Sequence, residues 1–131
     1  MNNINKDSER RGSPRVKVEF ILTYKIDKST EAQIWIGDRE ANALMLDLSS
    51  NGVAILTDYD IPVFTTLLVK FTLINLYANT DERISTIEVT GEVRSNILSK
   101  DNEHRLGIIF TNIAEQERQA ISKFVEMTMN K

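Results

Sequence analysis

From Val16 the even positions are apolar (Val16, Val18, Phe20, Leu22, Tyr24, Ile26), while most odd positions carry Lys17, Glu19, Thr23 and Lys25. A period of two sends alternate side chains to opposite faces, so this run is a half-buried strand. The turn-prone Asp27-Lys28-Ser29-Thr30 leads to a short second strand at 32–36 around Trp35, ended by Gly37-Asp38, and a third is expected at 43–48. Asp47-Leu48-Ser49-Ser50-Asn51-Gly52 then places Asp, Ser and Asn before a glycine, between two apolar runs. That pattern predicts a tight hairpin into a strand at 53–56, with Gly52 in a backbone conformation that other residues resist. Beyond a loop holding Pro62, apolar runs at 67–77 and 84–97 flank the turn Asn79-Thr80-Asp81-Glu82. In the later run Ile87, Val89, Gly91 and Val93 share one face, and Glu88, Thr90, Glu92 and Arg94 share the other. A polar turn at 99–102 precedes a final strand at 105–110.

The period then changes to about 3.6. Ile113, Ala120, Ile121, Phe124, Val125 and Thr128 fall on one face, with Glu115, Glu117, Arg118, Gln119, Lys123 and Glu126 largely away from it. One amphipathic helix over 112–129 is expected, with Asn112 and Glu115 placed as a capping pair. Roughly six strands joined mainly by short turns, then one helix, imply a mainly β chain: a small antiparallel barrel or sandwich with the helix packed on it.

Composition narrows the function classes. A chain of 131 residues, 41% hydrophobic, suits one domain with one core. Zero Cys excludes a disulfide framework and a thiolate metal site. The polar start, residues 1–8, has no periodic apolar pattern and is expected to be disordered. Without a signal-like apolar run or a membrane-span-length stretch, the expectation is a soluble, cytoplasmic protein. A net charge of −3 argues against broad binding to DNA or RNA, whose affinity comes from many Lys and Arg contacts to phosphates.

Catalysis finds little support. His104 is the only histidine and is expected to be solvated in a polar turn; with no Cys it has no partner for a nucleophilic pair or a multi-His metal site. The carboxylates are scattered over strand and helix faces, and neither a phosphate-cradling glycine loop nor a nucleophile elbow is present. The chain reads as a binding protein, with neither cofactor nor metal.

Two polar clusters carry binding chemistry. Glu9-Arg10-Arg11-Gly12-Ser13-Pro14-Arg15 sets three arginines beside a Gly and a Pro that keep the segment from being helical. Guanidinium forks match phosphate oxygens and the O6/N7 edge of guanine. The hairpin offers the Asp47 carboxylate, the Ser49 hydroxyl and close backbone approach at Gly52; a carboxylate suits the N1–H and N2 donors of guanine. Asp47 and Ser49, two apart on an extended strand, are expected to project from one face toward one ligand.

Arg11-Gly12-Ser13-Pro14-Arg15 matches RxxxR and Asp47-Leu48-Ser49-Ser50-Asn51-Gly52 matches (D/N)xSxxG, in the order found in PilZ domains, the bacterial receptors for cyclic di-GMP. Gly91-Glu92-Val93-Arg94, then Leu106-Gly107-Ile108-Ile109-Phe110 and a terminal helix, resemble the second half of such a domain. The resemblance covers residue 9 to the end. It implies a single PilZ-like domain at 9–131: a ligand arm at 9–15, a six-stranded antiparallel β-barrel at 16–110 and the C-terminal helix. It also implies that Arg11 and Arg15 grip phosphates and guanine edges, that Asp47 and Ser49 bond guanine or phosphate, and that Gly52 keeps the hairpin tight. Arg10 adds a contact by charge and position. The arm would rearrange around the ligand, bound as a monomer or an intercalated dimer, and signal to an unidentified downstream protein. A PilZ-fold adaptor in motility or surface behaviour, independent of cyclic di-GMP, stays open as the alternative. A barrel that binds single-stranded nucleic acid would want exposed aromatics among basic residues along a groove. The 27–38 segment departs from a minimal domain, and Trp35 is expected to fill the barrel.

Overall fold

The computed structural model describes residues 14–27, 40–74 and 84–129. Among them are six strands and one helix: β1 (Val16–Ile26), β2 (Ala41–Ser49), β3 (Gly52–Thr57), β4 (Thr66–Ile74), β5 (Ile84–Leu98), β6 (His104–Asn112) and α1 (Glu115–Met129). The strands close into an antiparallel barrel in the order β1-β2-β3-β6-β5-β4, the ring completed where Thr23–Ile26 of β1 pairs with residues of β4. Closure satisfies the backbone groups that an open sheet leaves free at its edges.

The inward positions of every strand meet in one core, including Leu22, Met45, Ile55, Val69, Ile87 and Leu106, onto which Ile121, Phe124 and Val125 of α1 pack. Phe20 and Phe124 meet at 5.8 Å between ring centres, tilted by 58°, a geometry that suits the ring quadrupoles. Among these apolar groups lies a polar contact, Tyr24 Oη with Thr57 Oγ1 at 2.7 Å.

Several sequence expectations shift. The strand expected at 32–36, Trp35 and the turn at 79–82 lie outside the described residues. The final strand runs longer than 105–110, from His104 to Asn112. Asn112 pairs with Thr90 as the last residue of β6, so it does not cap the helix, which begins at Glu115 instead of 112. The Ala114 carbonyl there accepts from the Arg118 amide at 2.9 Å. His104 is not a solvated turn residue: its side chain is mostly buried, with Nδ1 2.9 Å from Asn96 Oδ1. Because the Asn96 amide nitrogen donates to Asp60 and to the Ile61 carbonyl, its Oδ1 is the acceptor, and His104 Nδ1 carries the proton.

Candidate functional site

The strand phase of β2 is broken at the place where the site is built. Met45 and Leu48 are both fully buried although three residues apart, because the register of β2 against β3 shifts between Met45 and Asp47. The extra residue turns Leu46 and Asp47 together toward the outside, and a bulge of this kind re-aims the side chains that follow it. Asp47 thus leaves the barrel wall beside Arg15, which stands just before β1.

The two motifs meet there. Arg15 Nη1 donates to Asp47 Oδ1 at 2.7 Å, an ion pair across 32 positions of sequence. Arg105 of β6 donates from Nη2 to Asp47 Oδ2 at 3.2 Å. The Asp47 side chain is only 14% exposed, so both carboxylate oxygens are held between two cations at the barrel surface. Arg15 Nε is buried without an acceptor among the described residues. A buried donor left unpaired costs free energy, which an incoming acceptor would recover.

Ser49 does different work from Asp47. It is fully buried, and its Oγ accepts from the amides of Asn51 at 3.1 Å and Gly52 at 3.2 Å, so the hydroxyl closes the hairpin from inside. Gly52 is required by a close approach and not by a left-handed backbone: a Cβ there would collide with the Ile108 carbonyl oxygen of β6. The same turn is clamped from the helix. Arg118 Nη1 donates to the Ser50 carbonyl at 3.0 Å and to Asn51 Oδ1 at 3.1 Å, and the Asn51 carbonyl accepts from the Phe110 amide at 2.9 Å.

Of the six residues expected at the site, Arg15, Asp47, Ser49 and Gly52 gather on one side of the barrel. Arg10 and Arg11 lie outside the described residues. Sequence reasoning missed Arg105 and Arg118. Arg105 is 58 positions from Asp47 in an ordinary alternating strand, and Arg118 sits among the polar residues of the helix. Neither carries a local signal. Arg94, left out of the site, pairs with Glu92 at 2.6 Å on β5.

A groove of about 510 Å³ opens beside Asp47, lined by Lys17, Val18, Glu19, Leu44, Leu46, Asp47 and Arg105. A second, of about 480 Å³, is lined by residues that include Lys25, Glu40, Lys70 and Asn112 and holds none of the motif residues. Among the described residues no His, Asp or Glu cluster could hold a metal ion, and no helix is long and apolar enough to cross a membrane.

Comparison with solved structures agrees with this architecture. The inhibitor of motility MotI/DgrA of Bacillus subtilis superposes with a TM-score of 0.71 at 17% identity, covering 93% of this chain and 53% of that one. The PilZ domain of YcgR from Escherichia coli with c-di-GMP gives 0.60 at 12% identity, covering 92% of each chain. The K. pneumonia MrkH–c-di-GMP complex gives 0.61 at 10% identity, covering 90% of this chain and 51% of the other. The chain therefore spans about half the length of MotI/DgrA and MrkH. At these identities the likeness is one of fold. No curated protein is significantly similar in sequence. The family model for the PilZ domain matches residues 9–127, which include both motifs and the whole described barrel, and this chain belongs to the PilZ domain family.

Proposed function

We propose that this PilZ domain is a receptor for cyclic di-GMP that signals to a partner protein, with Arg10, Arg11, Arg15, Asp47, Ser49 and Gly52 forming its ligand site. The observation that carries this reading is the Arg15–Asp47 contact at 2.7 Å, which joins the RxxxR arm to the DxSxxG hairpin. Guanidinium forks for phosphate and guanine acceptors then stand beside a carboxylate for guanine donors. Arg10 and Arg11 extend the cationic arm, Ser49 and Gly52 hold the hairpin, and Arg15 Nε, buried with no acceptor among the described residues, offers a further donor. Binding rearranges the arm against the barrel, and charge-assisted bonds to the ligand offset the cost of fixing its side chains. The role is binding, not catalysis, and its setting is the cytoplasm.

The test is calorimetric titration of cyclic di-GMP into the parent and into an Arg11→Ala/Arg15→Ala variant shown to be folded. Two charge-assisted contacts at about 1.5–3 kcal/mol each predict a loss of roughly 100-fold or more in affinity. No heat and no thermal shift with a folded parent would overturn the receptor reading. The chain would then be an adaptor that works without the nucleotide, a second reading favoured by the fold it shares with an inhibitor of motility.

A further inference from the structure

Asp47 meets Arg105 in a way that the two motifs do not require. The carboxylate accepts from Arg15 through Oδ1 and from Arg105 through Oδ2; each oxygen keeps a second lone pair, but with the side chain only 14% exposed a guanine N1–H/N2 edge reaches both oxygens together only where a guanidinium gives way. One arginine has to yield. The Arg15 contact is short and its side chain is 28% exposed; the Arg105 contact is 0.5 Å longer, from 3.2 Å against 2.7 Å, and its side chain is 49% exposed. Exposed, longer ion pairs contribute least, so Arg105 is the partner that exchanges.

The surface under Arg105 offers a place for a freed guanidinium. Across the outside of the barrel, registered pairs join Ile21 to Leu44, Leu44 to Leu56, Leu56 to Arg105 and Arg105 to Ile97. Arg105 is the one cation in an otherwise apolar row. Beside that row, Asp47 is in register with Ala54 of β3 and Ala54 with Gly107 of β6, so no long side chain of β3 separates Asp47 from β6. The groove on the Asp47 side has Leu44, Leu46 and Val18 in its lining, and its arginine is Arg105, not Arg15. An apolar floor, a carboxylate edge and a planar cation form a slot for a flat, polar-edged ring.

We propose that Arg105 is a ligand-binding residue of this site: it leaves Asp47 when a guanine takes the carboxylate, and its guanidinium plane stacks over that base across the Leu44/Leu46 floor. This rests on the cyclic di-GMP reading and extends it, since it adds a third strand, β6, to a site so far built from the arm and the β2–β3 hairpin. Arg105 acts both as the shield of Asp47 before binding and as the cover of the base after it.

The test is titration of cyclic di-GMP into the parent, Arg105→Ala, Arg105→Lys and, as the control for losing an exposed arginine, Arg94→Ala, with thermal unfolding of each. Stacking needs the plane and not only the charge. Arg105→Ala and Arg105→Lys should therefore both weaken binding by roughly tenfold or more, with unchanged melting temperatures and Arg94→Ala at the parent's affinity. Equal or tighter binding by Arg105→Ala, which would make Arg105 a shield only, overturns this inference and leaves the receptor reading in place. Retention of affinity by Arg105→Lys alone overturns the stacking geometry in favour of a point charge on phosphate. A folded parent that does not bind overturns the receptor reading and this inference together.

Discussion

Tyr24 is 1% exposed, and burial pushes its phenol up to about 12, with the Thr57 hydrogen bond working the other way. The folded chain therefore keeps the proton where an unfolded tyrosine, ionising near pH ~10, would lose it. The contribution is intact below about pH 10 and is lost as pH rises toward 12, by about 2–3 kcal/mol in all. Urea unfolding of the parent should weaken more between about pH 9 and 11 than that of Tyr24→Phe, which cannot ionise. Equal losses would count against a neutral phenol inside the barrel. Phe64 poses the opposite case. Its φ of 77° lies in the left-handed region that favours glycine, yet the ring is 70% exposed and gains little by burial. Phe64→Gly should raise stability by about 0.5–1 kcal/mol, strain relief exceeding the added freedom of the unfolded glycine. A lower denaturation midpoint would show the strain to be smaller than that entropy.

At the scale of elements, the hairpin and the helix behave as one unit. Ser49 satisfies the amides of Asn51 and Gly52 from within, while Arg118 reaches over from the second turn of α1 to the Ser50 carbonyl and Asn51 Oδ1. A cation so near a helix start is disfavoured by the helix dipole, so its contacts with the hairpin are what it contributes. Nearby, Glu117 accepts from the Glu88 amide at 2.9 Å and ties the same helix end to β5. Arg118→Ala should cost about 1 kcal/mol and speed hydrogen exchange at the 50–52 turn, with core strands of the barrel keeping their protection. Unchanged exchange at the turn would mean that the hairpin holds its shape without the helix. The apolar face of α1 was legible as a 3.6-residue period, and Ile121, Phe124 and Val125 are its buried members. Its start was not, because the polar Asn112 suits a cap by type but is taken into the β6 ladder by pairing with Thr90.

At the scale of the whole molecule, a net charge of −3 surrounds a locally cationic site, a distribution that suits a small anion better than a polyanion. The barrel gives that site its rigidity: Arg15, Asp47 and Arg105 stand on or beside three strands whose relative positions are set by closure. Alternation of apolar and polar residues, the hairpin signal before Gly52, the change to a helical period and the RxxxR and DxSxxG patterns were all present in the sequence, because each depends on side-chain direction or turn chemistry over a few neighbouring residues. The chain alone thus determined a mainly β fold with a terminal helix and pointed to Arg15 and Asp47. Other features depended on contacts between distant segments. β3 lies beside β6 and not β4, so Arg105 reaches Asp47 across 58 positions. The register shift in β2 turns Asp47 outward, and the Ile108 carbonyl leaves room at position 52 only for glycine. Strand order and register are properties of the closed barrel, and only the packing of its whole core selects them.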